Sequence, residues 1–241
     1  NEIEGEKYLI VHRTDDGSTM KDMSPILLEK AFRTVTNNGK ITCRTLKSGD
    51  IMIKTENVKQ AKSLITLTKI SHANIEVTEH KTLNSCKGVV SAYELKYEDS
   101  ETLLEYLKTQ HVTKVDFHTK LINNERIKTG LVFVTFGKTE LPEYLRIGCL
   151  RLNVRPFIPP PMRCFICHKF GHISKTCPNQ SNPKCYNCYE DKHIHSKDEK
   201  CTEQQKCINC GGNDHNSYNR LCVEYNRQVN IQTIKVTQNV S

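Results

Sequence analysis

CFICHKFGHISKTC, residues 164–177, is the stretch that decides how the C-terminal part of this 241-residue chain folds. Its metal-binding residue types have the spacing Cys164-x2-Cys167-x4-His172-x4-Cys177. Two cysteines three positions apart can both point at one ion from a tight turn, and the later histidine and cysteine complete a tetrahedron. Because protein side chains would occupy all four coordination positions, none is left for an activated water. The spacing therefore predicts a structural zinc site.

A second cluster follows the first after a short interval. It begins with Cys185-x2-Cys188 and has Cys201 as its last ligand. His193 and His195 both stand where a histidine ligand is required, and they compete for one coordination position. We favour His193, because the Cys-x4-His step then matches that of the other clusters.

The third cluster has the spacing Cys207-x2-Cys210-x4-His215-x6-Cys222. Each cluster combines histidine with cysteine at metal-ligand spacing, which favours metal over disulfides and indicates a reducing compartment. Independent coincidences multiply, so three clusters in tandem argue against a metal-free interpretation. We therefore expect three structural zinc ions, each in a module similar to the CCHC zinc knuckle of retroviruses.

Aromatic and basic side chains in and beside the clusters are candidates for contacts with an unpaired nucleic-acid strand. Rings in such modules stack on unpaired bases, while lysine and arginine neutralise phosphates. The alternative that the rings only cover the metal stays open, and both can hold because so small a fold has no other core. The candidates are Phe165, Phe170, Lys169, Lys175, Tyr186, Tyr189, Arg155, Arg163 and, from a strand described below, Phe133.

Charge is unevenly distributed along the chain. The formal net charge is +8, and the segment 126–177 holds nine basic residues against two acidic ones. A basic stripe of this kind is the electrostatic footprint of a protein that binds a phosphate backbone. A solvated lysine-rich surface is the alternative when such a stripe is taken alone.

Residues 5–82 follow a β-α-β-β-α-β pattern. Ser24-Pro25 supplies a capping hydroxyl and a first-turn proline, Asn57 can cap a second helix, and 47–50 reads as a hairpin turn. The predicted elements are strand Lys7–His12, helix Pro25–Val35, strands Ile41–Leu46 and Ile51–Lys54, helix Val58–Thr68 and strand Asn74–Thr78.

Residues 86–155 repeat the order. The predicted elements are strand Gly88–Leu95, helix Ser100–Leu107, strands Val112–Thr119 and Thr129–Phe136, a short helix Leu141–Leu145 and strand Cys149–Val154. This order is that of the split β-α-β sandwich, in which helices cover one face of an antiparallel sheet and the other face is free to bind.

The strand Thr129–Phe136 partly matches the RNA-recognition signature K/R-G-F/Y-G/A-F-V-x-F/Y. Alternation places Phe133 on one face as a stacking residue. Thr129, Leu131 and Val132 depart from the signature, so an ordinary core strand is an equal alternative. The matching strand of the first repeat lacks aromatic residues, and no RNA contact is assigned to it.

These observations predict an α+β chain with two tandem RRM-like, ferredoxin-like domains and small zinc-knuckle modules. The divisions are domain 1 at 5–82, domain 2 at 86–155, a proline-rich connector at 156–163, three CCHC knuckles at 164–222 and a tail at 223–241 that begins in a helical pattern. The chain starts at Asn1 without methionine and looks like a fragment.

Two function classes find no support in the sequence. No apolar run approaches the roughly 18 residues that span a bilayer, so we expect no membrane partner. No P-loop, dinucleotide fingerprint or nucleophile elbow is present, and the clustered cysteines are assigned to metal, so we expect no enzyme.

The run Val154–Phe165, together with Phe170-Gly171-His172, closely resembles the Gag-like first-reading-frame protein of arthropod non-LTR retrotransposons of the Jockey type. The resemblance extends from about Gly88 to the end of the chain, including Leu131–Phe136 and the tail around Ile234–Ser241. It is specific over the last part of the chain and weak over the first 85 residues.

The resemblance implies a protein that binds the RNA of its element, packages it into ribonucleoprotein and acts as a nucleic-acid chaperone. It also implies self-association, a partnership with the element's reverse transcriptase protein, and an intracellular place in cytoplasmic ribonucleoprotein or the nucleus. The metal ligands that it carries over are Cys164, Cys167, His172, Cys177, Cys185, Cys188, His193, Cys201, Cys207, Cys210, His215 and Cys222.

Three alternatives remain open from the sequence. The chain could be a cellular RNA-processing adaptor that uses zinc knuckles to present substrate to an enzyme. It could be an assembly module whose sheets and third knuckle bind proteins. Its nucleic acid could be single-stranded DNA in place of RNA.

Overall fold

The computed structural model describes residues 5–191 and 201–238. It separates into a unit that ends at Phe157 and a unit that begins at Ile158. The helices and strands in chain order are β1 (Lys7–Arg13), α1 (Pro25–Val35), β2 (Ile41–Thr45), β3 (Ile51–Thr55), α2 (Val58–Ile65), β4 (Lys69–Ile70), β5 (Ala73–Glu79), β6 (Cys86–Ser91), α3 (Ser100–Leu107), β7 (Val112–Ile122), β8 (Glu125–Phe136), β9 (Tyr144–Ile147), β10 (Leu150–Asn153), β11 (Arg155–Pro156) and α4 (Val223–Thr237).

The first domain has the predicted β-α-β-β-α-β order, and its strands lie in the order β2-β3-β1-β5-β4. Strand alternation sends Leu9 and Ile53 to one face of the sheet, where both are fully buried. Phe32 of α1 and Leu64 of α2 belong to the same core. Two helices therefore cover one face of the antiparallel sheet, and the opposite face is open.

Local residues fix where the helices of this domain begin and end. The Asn57 side chain accepts a hydrogen bond from the Gln60 backbone N–H at 2.9 Å, as its capping role predicts. Asn37 and Asn38 take positive φ angles after α1, and the Asn38 N–H donates to the Arg33 carbonyl at 2.8 Å. Asparagine tolerates this left-handed conformation, so the helix ends there.

The second domain has a four-stranded antiparallel sheet in the order β11-β6-β8-β7. Asp99 caps α3 by accepting hydrogen bonds from the N–H groups of Glu101 and Thr102. Val132, Val134 and other buried side chains form a separate core beneath this sheet. The mixed architecture with antiparallel sheets confirms the predicted α+β class.

The predicted helix at Leu141–Leu145 is wrong. Residues 137–143 have no helix, and β9 and β10 form a hairpin instead. The spacing of Leu141 and Leu145 fits a helix, but alternation continues through Ile147 and Leu152, and Gly148 at φ +57° allows a two-residue turn. Leu145 is almost fully buried in the second core, so the hairpin supplies the apolar face expected of the helix.

The predicted last strand, Cys149–Val154, forms as β10 and is one residue shorter at each end, and the separate strand β11 follows it. Its residues Leu150–Asn153 pair with β9, whereas Arg155 and Pro156 pair with Val89 and Gly88 of β6. The first predicted strand of this domain also ends earlier, at Ser91, and a 3-10 turn follows at Tyr93–Tyr97.

Candidate metal centres and nucleic-acid interface

The first cluster brings its four predicted ligands together. The ligand atoms of Cys164, Cys167, His172 and Cys177 all lie within 4.8 Å of one another. The Cys167 Sγ to His172 Nε2 distance is 3.3 Å. These four atoms are close enough for a tetrahedral ion, whose bonds to sulfur and nitrogen would be about 2.0–2.3 Å long.

All three clusters begin with the same backbone turn. The residue directly after the second cysteine has a positive φ angle in each: His168, Tyr189 and Gly211. Its N–H donates to the carbonyl of the first cysteine, as from His168 to Cys164 at 2.9 Å and from Gly211 to Cys207 at 2.8 Å. The turn aims both thiols of the Cys-x2-Cys step at one point, which explains the shared spacing.

The second cluster brings together Cys185, Cys188 and Cys201, whose sulfur atoms lie within the same 4.8 Å limit. The competing histidines, His193 and His195, lie outside the described residues. Three ligands of this cluster are therefore placed, and the choice between the two histidines stays a prediction.

The third cluster holds Cys207, Cys210, His215 and Cys222 within the same limit. The Sγ atoms of Cys207 and Cys222 are 3.7 Å apart, close to the roughly 3.8 Å edge of a zinc–thiolate tetrahedron. The Asp214 carboxylate lies 2.8 Å from His215 Nδ1, which leaves Nε2 facing the cysteines. A carboxylate on the far nitrogen fixes the tautomer that ligates a metal.

Hydrogen bonds prepare one thiol in the first and third clusters for ionisation. Burial raises the pKa of Cys164, but N–H groups of Cys167 and Ile166 outweigh it and lower that pKa to about 6. Burial also opposes ionisation of Cys222, where the Tyr225 N–H and the His215 ring lower the pKa to about 7. Because the thiolate is the metal ligand, one thiol of each site favours the form that binds, whereas burial raises the pKa of Cys167 and of Cys210 to about 11.

The clusters pack against one another within this unit. The Lys184 N–H donates to the Ile166 carbonyl at 2.8 Å, and His168 Nε2 lies 2.9 Å from the Lys184 carbonyl. Asn209 of the third cluster donates to the His168 carbonyl at 3.0 Å. The Lys206 N–H donates to the Asn187 carbonyl at 2.8 Å, between the third and second clusters. The tandem pattern thus folds as one interlocked body.

Some of the predicted base-stacking rings are used in this packing. The Arg163 guanidinium lies 4.4 Å from the ring centre of Tyr218 and 5.0 Å from that of Phe170. Phe170 also lies 6.3 Å from the Tyr225 ring, and Tyr186 meets Tyr218 edge-on at 5.6 Å. Arg163, Phe170 and Tyr186 therefore contribute to the fold of the unit as well as to its surface.

Most of the other predicted contact residues are exposed. Phe165 is 73% exposed, and Lys169 and Lys175 are also exposed. Tyr189 is half-buried, and the Lys184 Nζ lies 5.9 Å from its ring centre. Arg155, in the other unit, is exposed on the edge strand β11.

The open sheet face of the second domain carries an aromatic group around Phe133. The Phe157 ring meets Phe133 at 5.2 Å and 73°, and His118 meets it at 6.0 Å. Lys87 Nζ lies 5.2 Å from the Phe133 ring centre and 4.7 Å from that of Phe157. Sequence reasoning missed Phe157, His118 and Lys87 here. Strand alternation could have found Lys87, but Phe157 lies outside the predicted strands, and its N–H donates to the Lys87 carbonyl at 2.9 Å.

In the described part of the chain, no helix is both long and apolar enough to cross a membrane. All twelve cysteines are free thiols. Three groups of them, two with their histidine, could each hold a metal ion.

Comparison with known proteins gives one family match and several similar structures. The model of a family described as "Domain of unknown function (DUF8775)" matches residues 87–156, which is the second domain. No curated protein matches the chain.

Two of the similar solved structures contain paired RNA recognition domains. Domains 1 and 2 of Sex-lethal from Drosophila melanogaster are 15% identical, with 56% of this chain and 87% of that chain covered and a TM-score of 0.23. The first two RRM domains of the yeast poly(U) binding protein are 14% identical, with 62% and 98% covered and a TM-score of 0.24. The fold assignment rests on the strand order described above and not on these scores.

Proposed function

We propose that this chain binds single-stranded RNA and does not catalyse a reaction, with three structural zinc ions holding its C-terminal unit. The observation that carries the proposal is Phe165, which is 73% exposed on the turn between Cys164 and Cys167, two members of the first cluster. Lys169 and Lys175 are exposed in the same cluster. A fixed ring beside free cations suits stacking on a base while the neighbouring phosphates are neutralised.

The open sheet face of the second domain supports the same function. Phe133 and Phe157 present rings there, and Lys87 Nζ lies beside both. Unpaired bases stack on aromatic residues of the central strands in RRM domains. In this chain the second ring comes from the connector, which compensates for Leu131 and Val132 in the signature strand.

Within this function we propose the role of a retrotransposon packaging protein and nucleic-acid chaperone. The resemblance of residues 154–165 and of the first cluster to Gag-like proteins of Jockey-type elements supports it. That role would include self-association and contact with the element's reverse transcriptase protein. An intracellular ribonucleoprotein would be its site of action.

The first experiment measures binding of the zinc-loaded chain to fluorescein-labelled single-stranded RNA over a salt series. We expect tight binding that falls steeply with salt, because phosphate contacts release counterions. Binding should drop after chelation of zinc. Negligible binding at low salt would overturn the proposal, and single-stranded DNA of the same sequence measures the preference between the two.

A matched pair of variants locates the contact. Phe165→Ala should cost about 1–3 kcal/mol of RNA binding if its ring stacks on a base. Tyr97→Ala removes an equally exposed ring, 78% exposed, on the surface of the other unit, and should leave binding unchanged. Equal affinities of the two variants would remove Phe165 from the interface.

The packaging role needs a separate test in cells. The RNA that is crosslinked to the tagged chain should be dominated by the transcript that encodes it. Diverse cellular transcripts together with a resident enzyme would contradict packaging and support the adaptor function. That result would leave the RNA-binding proposal intact.

A further inference from the structure

A groove of about 640 Å³ lies in the first domain between the edge strand β2 and helix α1. It has an apolar wall from α1 and the 3-10 turn before it, which includes Leu28, Phe32 and Met23. One side of β2 has no partner strand in the described part of the chain. None of the proposed RNA contacts involves this region.

The register of the β2–β3 hairpin shows which backbone groups of β2 face away from the sheet. The Leu46 N–H donates to the Asp50 carbonyl at 2.8 Å, so this pair is hydrogen-bonded. Hydrogen-bonded and non-hydrogen-bonded pairs alternate along antiparallel strands. The N–H and C=O groups of Ile41, Cys43 and Thr45 therefore point outward, ready to pair with an additional strand.

The side chains of these residues form the floor of the groove. Ile41, Cys43 and Thr45 stand opposite Thr55, Ile53 and Ile51 in the register. Residues directly opposite one another project to the same face, and these three β3 residues are buried against the helices. An added strand would consequently direct every second side chain into the groove beneath α1.

The charges around the groove indicate the charge of the peptide strand that could bind there. Lys21, Arg33, Lys40 and Arg44 line it, against one carboxylate, Glu29. Glu29 is already paired with Arg33 at 3.0 Å. Within the described residues Lys40 and Arg44 take part in no ion pair, so two cations remain for a ligand. The same charges disfavour pairing with β2 of a second copy, because like charges would face each other.

We infer that β2 accepts an extended, acidic peptide segment of a partner protein as an additional strand. Backbone hydrogen bonds would give affinity, and alternate apolar side chains in the groove would give specificity. Acidic residues between them would face Lys40 and Arg44. This inference does not depend on RNA binding, since β2 belongs to the first domain and the proposed RNA contacts lie in the second domain and in the clusters.

The test uses the full zinc-loaded chain and a labelled eight-residue peptide of alternating valine and aspartate, with blocked ends. We expect saturable binding by fluorescence anisotropy, and slower amide hydrogen exchange at Ile41, Cys43 and Thr45. A peptide of alternating valine and lysine should not bind. No protection at these three amides would overturn the inference, whatever the affinity.

Two variants distinguish strand addition from general attraction to a basic chain. Cys43→Pro removes one outward N–H, which an edge strand tolerates, and should weaken peptide binding about three- to tenfold. Lys40→Glu should weaken it by a similar factor through charge alone. Lys69→Glu, on the opposite edge strand β4, makes the same charge change and should have no effect.

Equal affinity of the wild-type chain and of both groove variants would place the peptide elsewhere and overturn the inference. If Cys43→Pro disturbs the sheet, exchange at β3 amides will reveal it. The comparison of Lys40→Glu with Lys69→Glu then decides by itself whether the peptide binds beside β2.

Discussion

In the unit that ends at Phe157, the least exposed side chains are aliphatic and aromatic, such as Leu9, Ile53 and Phe136. In the unit that begins at Ile158, the deeply buried side chains are chiefly cysteines, such as Cys164 and Cys207. The first unit thus excludes water with apolar surface, which stabilises it directly. The second unit gathers the cysteines of three potential metal sites where a small protein would otherwise need an apolar core.

The last helix of the second unit, α4, also contributes no apolar core. Among its described residues, α4 has none that is buried, and its apolar Val223 and Ile234 are largely exposed. We therefore expect folding of this unit to depend on its ligand clusters and the hydrogen bonds between them. Each cluster is much smaller than the roughly 40 residues below which a domain usually needs such a metal or a disulfide.

The largest expected effect is the response to a chelator. Excess EDTA with a non-thiol reductant should unfold the second unit and leave the first folded, because metal binding and folding are one event in such modules. The free energy at stake is about 10–16 kcal/mol for each structural zinc. Amide hydrogen exchange on the full chain measures both units at once.

Readdition of zinc is the control, and it should restore protection in residues 164–191 and 201–222. Equal protection of both units after chelation would show that the second unit has a metal-independent core.

The next effect should destabilise the first unit and leave the zinc content of the second unchanged. Phe136→Ala opens a cavity beneath the second sheet and should destabilise that domain by about 3–5 kcal/mol, without changing the zinc content. Urea unfolding and metal analysis measure the two quantities. Phe165→Ala removes the same ring from an exposed position and should cost below about 0.5 kcal/mol of stability. Loss of zinc from the Phe136 variant would mean that the two units fold together.

A smaller effect separates the first cluster from the third. The hydrogen bond to His215 lowers the pKa of Asp214 below its ordinary value, and the carboxylate form of Asp214 is the acceptor at neutral pH. Asp214→Ala should therefore weaken zinc binding at the third cluster about 10–100-fold. Competition with a chromophoric chelator measures this, and the first cluster of the same chain is the internal reference. An equal loss at both clusters would point to a general defect in folding.

The smallest effect concerns a helix cap in the first unit. Asn57→Ala removes the acceptor for the Gln60 N–H and should cost about 1 kcal/mol of stability, since that N–H then lacks its partner. Asn57→Ser should restore most of the loss. Chemical unfolding of the first domain measures both variants, and a zinc affinity altered by either would mean that the two units are energetically coupled.

Local patterns predicted most of the elements because the information for them is local. Strand alternation placed Phe133 on the face away from the buried Val132 and Val134, and Asn57 begins a helix as its capping role predicts. The helix prediction at Leu141–Leu145 was wrong because a short apolar spacing fits either a helix or a hairpin. Pairing with Leu150–Asn153 decided between them, and that pairing lies beyond the predicted segment.

The candidate sites also contain a part that local sequence predicts and a part that depends on long-range contacts. Ligand spacing alone identified the clusters, since a Cys-x2-Cys turn is a local structure that aims two thiols at one point. The partners of the aromatic rings are long-range: Phe157 reaches Phe133, and Tyr218 approaches Arg163, only after the chain has folded back.

By itself the sequence determined the three clusters, apart from the histidine of the second, and the β-α-β-β order of both sheet domains, because each is set by residue types a few positions apart. The tertiary structure alone decided the hairpin that replaces a helix, the interlocking of the clusters and the groove beside β2. These features depend on which distant surfaces exclude water together and on which backbone groups remain unpaired at an edge. Packing and pairing between distant segments settle both.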